Sequence, residues 1–489
     1  MQQDLAEIGF AGRIRGISGR LIVASGVVIL VTAAAAGGVT AGPAAAAGRG
    51  TVAGPGAAGL RRTPGAAEPT AWIVASPGGS TSLVGIDVAT DEVVDTIAIP
   101  DRIGDNVGST AGELAISPNG KTAYLAAEWK NEIVPIDLVN GTIGAPIKVE
   151  NNPVSVAITP NGSRVYVLGY VNAQRASVIA ITASSGKTSK PISVGPLESA
   201  GEGGIAVTPN GRTVWVSSPE NGTITAVATA SGKRGKPITV GAFPVSLAVT
   251  PDGKTLWVAN ALDDDIVPVS LANFKTGHKV FLGTGTPPSD LAISPDGAYA
   301  FASLGSPASG AVRVTLSRSP SVEKIALVDA TRTPLQVDAV AVAPAATSAF
   351  FGALAEGTVA VTTVGTAREI TPISLASGVT SVTAIAITPD QAPTARFTVK
   401  VSGRTVRLNA SSSSAWFGKI ARYAWAFGDG KSSSAGPSVS HTYNSSGRYT
   451  ITLVVTDSLG TSTSVVFTGR TVSRNGGPSA ERRTTITVG

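Results

Sequence analysis

Not one cysteine occurs in the 489 residues. The fold therefore uses no disulfide, no thiolate metal site and no cysteine nucleophile, and the chain cannot be held to a membrane as a cysteine-linked lipoprotein. Histidine is nearly missing as well, with His278 and His441 the only two. Acid–base chemistry that needs a group titrating near neutrality has little to draw on. Charged residues make up only 14% of the chain, and helix-period apolar patterns are scarce. No phosphate loop, zinc spacing or nucleophile elbow is present.

What is abundant is glycine, together with alternating runs of Val, Ile, Thr, Tyr and Trp. That is the composition of an all-β chain with many tight turns. One phrase recurs: LAISPNG at Leu114, VAITPNG at Val156, IAVTPNG at Ile205, LAVTPDG at Leu247, LAISPDG at Leu291, VAVAPAA at Val340 and IAITPDQ at Ile385. The prolines, Pro118, Pro160, Pro209, Pro251, Pro295, Pro344 and Pro389, are spaced by 42 to 49 residues. Such a period implies stacked units that cannot bury their own faces alone.

Each unit reads as four strands. In the third copy these are 204–208, 213–217, 224–229 and 236–240, with Pro209-Asn210-Gly211 as the hairpin turn between the first two. Four strands in 40–50 residues is a propeller period, and the apolar first strand fits the position next to the axis. The ends complement each other. Segments 71–75, 82–88 and 93–99 supply three strands without an innermost one, and 383–388 supplies an innermost strand without outer ones. Six continuous blades and a seventh shared between the ends would close the ring and leave no open edge. The fold class expected is all-β, a seven-bladed β-propeller with terminal strand closure over 69–391.

The repeats resemble the YVTN family of β-propeller repeats, found in exported proteins and close to lactonase-like propellers. Trp257-Val258-Ala259-Asn260 is the nearest tetrad, and the Pro-Asp/Asn-Gly turn is kept in five copies and lost at Ala345 and Gln391. The resemblance implies a fold and leaves function to the loops.

Upstream, Arg13, Arg15 and Arg20 precede an uncharged apolar stretch, 21–36, and small residues follow. Segment 1–41 reads as a signal peptide or signal anchor, which would place the rest outside the cytoplasm, secreted or held at the cell membrane. The Ala, Gly and Pro of 42–68 read as a flexible linker.

Downstream, the repeat stops. Trp425-Ala426-Phe427-Gly428-Asp429-Gly430 is followed by His441-Thr442-Tyr443 and by an alternating strand beginning Gly447-Arg448-Tyr449. This resembles the PKD domain, named for the polycystic kidney disease protein, and implies an immunoglobulin-like β-sandwich over 392–489. Trp425, Phe427, Gly428, Asp429, Gly430, His441, Tyr443 and Tyr449 carry the resemblance, with Ala426 standing where the family has Asp. The resemblance also implies a cysteine pair near 461–475. Thr461 and Arg474 occupy those places here, so the last strand, 484–488, relies on sheet pairing alone.

The residue five before each repeat proline is expected at the tunnel entrance. These are Glu113, Ser155, Gly204, Ser246, Asp290, Ala339 and Ala384, with Glu202 and Asp338 nearby. Glu113, Glu202, Asp290 and Asp338 are the candidate ligand-binding set, and four carboxylates round one rim could hold a hard cation such as Ca2+. No other cofactor is indicated. Asp263-Asp264-Asp265 reads as a solvated turn. His278 falls at the outside of a blade, which argues against the tunnel-histidine chemistry of streptogramin lyases, and His441 reads as structural. The Asn-Gly-Ser/Thr phrases at Asn140, Asn161 and Asn221 are explained by turn chemistry.

Charge divides the chain. Residues 69–391 hold 20 Lys and Arg against 26 Asp and Glu, whereas 392–489 hold 12 against 3. A basic module on an acidic ring suggests either that the two dock or that the module meets an anionic cell-wall polymer or membrane surface. Nucleic acid is not expected, since the basic residues are not interleaved with exposed aromatics. Two functions remain. One is a non-catalytic surface protein, a monomer, contacting cell-surface protein or polysaccharide. The other is a lactonase-like hydrolase working through the rim carboxylates and a divalent cation.

Overall fold

A computed structural model describes residues 69–489 apart from 78–80, 101–113, 128–129, 172–174, 197–202, 330, 355–356, 369–371 and 376–378. It also describes Leu21–Ala24 and Val27–Leu30, which pair as an antiparallel hairpin. The rest of 1–41, expected as a signal segment, all of 42–68, expected as a linker, and Glu113 and Glu202 lie outside the described residues. Residues 1–57 and 58–489 form separate units, and the second holds both the repeats and the C-terminal module.

Seven antiparallel sheets follow the repeat. Blade 1 combines Thr70–Pro77, Thr81–Asp87 and Val93–Ile99 with Val379–Ile387 as its innermost strand. Ala71 pairs with Ile387 and Val74 with Ala384, so the two ends of the ring interlock in one sheet. Blades 2 to 7 begin with Leu114–Ile116, Asn152–Ile158, Ile205–Val207, Pro244–Val249, Pro288–Ile293 and Val337–Val342. These innermost strands are apolar because a neighbouring blade packs on each face. Trp215, for instance, is buried with Leu247, Val249 and Val258 of the next blade. Outermost strands are shorter than the sequence suggests. In blade 4 the fourth is only Ile238–Thr239, because exposed Lys233, Gly235 and Lys236 bring the chain back through a single bridge, Val227 to Arg234.

The recurring phrase is a turn with its own hydrogen-bond set. Thr208 Oγ1 donates to Asn210 Oδ1 (2.7 Å), and Gly211 N donates to Thr208 O (2.8 Å). Thr213 N donates back to the Thr208 hydroxyl (3.1 Å). The same contacts recur at Ser117, Thr250 and Ser294. The glycine is required because φ there is positive, +67° at Gly211 and +73° at Gly297. The sequon-like Asn161 is absorbed in this set, its carbonyl accepting from Thr159 and Ser163.

The C-terminal module is a sandwich. One sheet orders Ser432–Ser433, Ile420–Ala426, Gly447–Asp457 and Glu481–Val488, and the other orders Thr398–Ser402, Thr405–Asn409 and Ser438–Thr442. The last strand is longer than expected and pairs from Gly447↔Val488 to Val454↔Glu481, so sheet pairing does suffice without a disulfide. Between the sheets lie Trp425, Phe427, Tyr443, Ile451 and Leu453. No α-helix occurs among the described residues, and no helix there is long and apolar enough to cross a membrane.

The degenerate sixth phrase keeps the turn without its glycine. Ala346 N donates to Ala343 O (2.9 Å) at φ +58°. A left-handed conformation costs a non-glycine residue about 1–2 kcal/mol, partly offset by the stiffer unfolded chain. Ala346→Gly should therefore stabilise the protein, by about 0.5 kcal/mol, read as a higher urea midpoint at unchanged slope.

Candidate functional site

Innermost strands run from the mouth where each blade begins to the opposite mouth, where the Pro-Asn/Asp-Gly turns lie. This second mouth is filled by the chain itself. Strands Val465–Phe467 and Val472–Asn475 of the C-terminal module form a hairpin whose turn, 468–471, enters the axis. Val249 N donates to Thr468 O (2.9 Å), Val207 N to Gly469 O (2.7 Å) and Ile158 N to Arg470 O (3.0 Å). Ile116 N donates to Thr471 Oγ1 (3.2 Å). Each donor is the final residue of an innermost strand, in blades 5, 4, 3 and 2, on the edge that faces the axis, since the next residue's N–H bonds back into its own blade. Buried N–H groups left unpaired would cost free energy, so the hairpin pairs four inner edges at once. Gly469 is needed at the tip: φ is +127°, and a Cβ would sit 3.2 Å from Ala206 Cβ. Phe467 and Val472 are buried in the core that blades 3 and 4 share. A cavity of about 80 Å³ remains beside the hairpin, lined by Leu291, Val340, Ile387, Arg470 and Val472 among others.

From this tip the Arg470 side chain reaches up the tunnel to Asp290. Its guanidinium donates to Asp290 Oδ1, to Ser246 Oγ (3.1 Å) and to Leu291 O (3.2 Å). Asp290 Oδ1 also accepts from the Ser246 hydroxyl and from Leu291 N, both at 2.8 Å. Oδ2 accepts from Val340 N (3.1 Å). Asp290 is 1% exposed. Of the four candidate rim carboxylates it is thus bound internally, with both oxygens engaged. Asp338 is half-buried in Val337–Val342, and its carbonyl accepts from Ser303 Oγ (3.2 Å). Glu113 and Glu202 are outside the described residues. Among the described residues no three His, Cys, Asp or Glu gather in a way that could hold a metal ion.

A second set of contacts fixes the edge of the same hairpin. Asp390–Gln391 pairs in parallel with Arg474 and Asn475. Asn475 Nδ2 donates to Gln391 Oε1 (2.8 Å), and Gln391 Nε2 donates to Pro118 O (2.8 Å). Arg474 Nε donates to Pro344 O (2.6 Å). The residue that ends the seventh phrase in place of glycine is therefore a bridge from blade 1 to blade 2 and to the sandwich. Under it lies a buried carboxyl pair, Asp390 and Asp457, 0% and 2% exposed. Burial first, then the facing Asp457, pushes Asp390 up to about 7. Asp457 is raised as well, again by burial.

The motif of the C-terminal module is structural throughout. His441 Nε2 lies 2.8 Å from Asp429 Oδ2, and its ring stacks on Phe427 at 4.0 Å. Burial alone would raise the Asp429 carboxyl, but the His441 and Lys431 N–H contacts outweigh it and hold it below its ordinary value. Trp425 Nε1 donates to Gly436 O (3.0 Å), and Tyr443 OH donates to Phe427 O (2.9 Å). Tyr449 stacks on Tyr443 at 3.9 Å. Gly428 has φ +85°, and a Cβ there would stand 2.6 Å from Thr450 O; Gly430 has φ +84°. Ile420 pairs with Asp457, whereas Asp429 lies beyond Ala426 at the other end of that strand. Roughly 20 Å of strand separates them, so no single calcium ion can use both.

The acidic turn is more than a solvated one. Asp265 is fully buried between Asn260 Nδ2 (2.9 Å) and Lys279 Nζ (3.3 Å), while Asp263 and Asp264 accept from Ala242 N and Gly285 N. His278 is exposed beside the outermost strand of blade 5, as expected. The role of hairpin residues Thr468 to Ser473 is not evident from sequence. Their one visible signal is an arginine between Gly469 and Thr471, interrupting an apolar run in a module with few acids of its own.

A PKD domain match covers residues 390–472. Solved structures share the ring. A protein of unknown function from Desulfotomaculum acetoxidans aligns at TM-score 0.52 and 18% identity, over 65% of this chain and 98% of its own. A 6-phosphogluconolactonase-like protein from Bacteroides uniformis aligns at 0.51 and 14% (65% and 99%), and one from Bacteroides fragilis at 0.51 and 16% (67% and 99%). No curated protein sequence matches the chain. Fold and match together define a seven-bladed β-propeller followed by a PKD domain. The identities speak for the fold alone.

Removing either member of a buried ion pair strands the other. Asp290→Asn and Arg470→Met should each destabilise the unit by roughly 3 kcal/mol. The double variant should cost well under the sum in a urea double-mutant cycle. The Asp390 carboxyl holds a proton in the folded state at pH values where the unfolded chain has lost it. Its contribution is intact below the ordinary carboxylate value and is lost as pH rises through about 7. Thermal midpoints should therefore fall from about pH 5 to about pH 8, and Asp390→Asn should flatten that fall.

Proposed function

We propose that this chain is a non-catalytic, exported scaffold at the cell surface, a propeller whose PKD domain is built into its axis and whose loop faces and sandwich contact protein or polysaccharide. The observation that carries this reading is the Arg470–Asp290 pair. The carboxylate best placed on the tunnel wall is spent on holding the plug, and the turn-side mouth is closed by backbone. Catalytic carboxylates are left free to reach substrate or metal, and Asp290 is not. The basic and apolar N-terminal pattern supports export, and the PKD match supports a place outside the cell.

The competing reading rests on the two 6-phosphogluconolactonase-like structures, whose likeness in fold says nothing of this chain's chemistry. Hydrolysis of 6-phosphogluconolactone by the purified chain, with and without Mg2+ or Ca2+, separates the two. The expected rate is that of the uncatalysed lactone. Turnover that Asp290→Asn abolishes would establish the enzyme and end the scaffold reading.

A further inference from the structure

The outer face of the smaller sheet in the C-terminal module has an unusual make-up. Register places nine side chains on it in three cross-strand rows: Thr398, Asn409 and Ser438; Lys400, Arg407 and Ser440; Ser402, Thr405 and Thr442. The alternate residues Val399, Val406, Leu408 and Val439 face the core. All nine outward residues are polar, eight of them are exposed, and none is acidic. Lys400 and Arg407 stand directly opposite each other in the middle row.

Two cations facing each other across a strand pair destabilise it, and nothing in the module relieves them. It has three acids, and each is committed elsewhere: Asp429 to His441, Asp457 to the buried pair with Asp390, and Glu481 to Arg483. The module's docking arginines, Arg470 and Arg474, are on the opposite errand, in and against the propeller. Docking thus accounts for only part of the module's excess charge, and the uncompensated remainder includes this row.

We propose that this face binds an anionic polysaccharide, seating a carboxylate or phosphate group of the polymer between Lys400 and Arg407. Arginine's fork meets such groups in two parallel hydrogen bonds, and lysine supplies a point charge beside it. The flanking Thr, Ser and Asn side chains donate to and accept from sugar hydroxyls. Three strands about 4.8 Å apart and five residues long give a platform roughly 10 by 15 Å, enough for two or three sugar units. The face offers no apolar side chain to enter a bilayer and no aromatic to stack on a base, which sets it apart from membrane and single-strand nucleic-acid surfaces. The proposal rests on the surface-scaffold reading and names its ligand class.

The test uses the full chain and immobilised polygalacturonate at low and physiological salt, with dextran as the neutral control. Binding is expected to the first and not to the second. Lys400→Ser combined with Arg407→Ser should weaken it about tenfold, the worth of two charge-assisted contacts. Arg448→Ser combined with Arg482→Ser removes the same charge from the other sheet and should weaken it less than about threefold, through the general field alone. The Lys400/Arg407 variant should melt no lower than the wild type, since it removes a like-charge pair, so lost binding cannot be lost folding. Equal weakening by the two variants, or no binding by the wild type, would overturn the proposal. So would tighter binding to phosphatidylglycerol vesicles or duplex DNA than to the polysaccharide. Lactone hydrolysis with binding retained would remove the scaffold reading and leave this face standing, and the reverse pattern would do the opposite.

Discussion

A ring of sheets leaves a hole on its axis, and the inner strands that border it must end somewhere. Along that border, backbone N–H groups point into the hole, away from their own ladder. In this chain the tip of the hairpin at 468–471 answers four of them with three carbonyls and one hydroxyl. Everything distinctive about the molecule depends on that. The tip must be glycine at 469, the strand before it must bury Phe467, and the side chain after it must find an anion deep in the ring, which Asp290 supplies. The C-terminal module is consequently less an appendage on a tether than a part of the propeller's core.

The same constraint reorganises the charge. The ring carries the acids and the sandwich the bases, and two of the bases, Arg470 and Arg474, cross between them. Neither is a surface pair of little worth. Arg470 is largely buried against a fully buried carboxylate, and Arg474 sits over the Asp390–Asp457 pair. The junction between domains thus buries charge from both sides, which an inert spacer would not do.

Much of the fold was legible because its signals are local. Pro-Asn-Gly and Pro-Asp-Gly dictate their turns within seven residues, and the hydroxyl before the proline closes the set, so the repeat could be counted from sequence. The shared blade was legible because an innermost strand and three outer ones each lacked what the other had. The plug was not, since it depends on contacts between residues far apart in sequence, such as Arg470 with Asp290, 180 positions away, and Gln391 with Pro118, 273 away. Gly469, Arg470 and Gln391 have no pattern of their own, and their meaning comes only from what the ring leaves unsatisfied. The rim carboxylates show the converse. The sequence put Asp290 at the tunnel entrance and said nothing of the arginine that neutralises it.

Blade 1 waits for Val379–Ile387 before its sheet is whole, and the axis waits for 468–471 before four inner edges are paired. Both pieces lie in the last quarter of the chain. A polypeptide emerging from a ribosome by its N-terminus can form blades 2 to 7 early, but it holds an open ring with an unpaired edge and an empty centre until nearly all of it has emerged. Completion of the molecule is thus tied to completion of the chain.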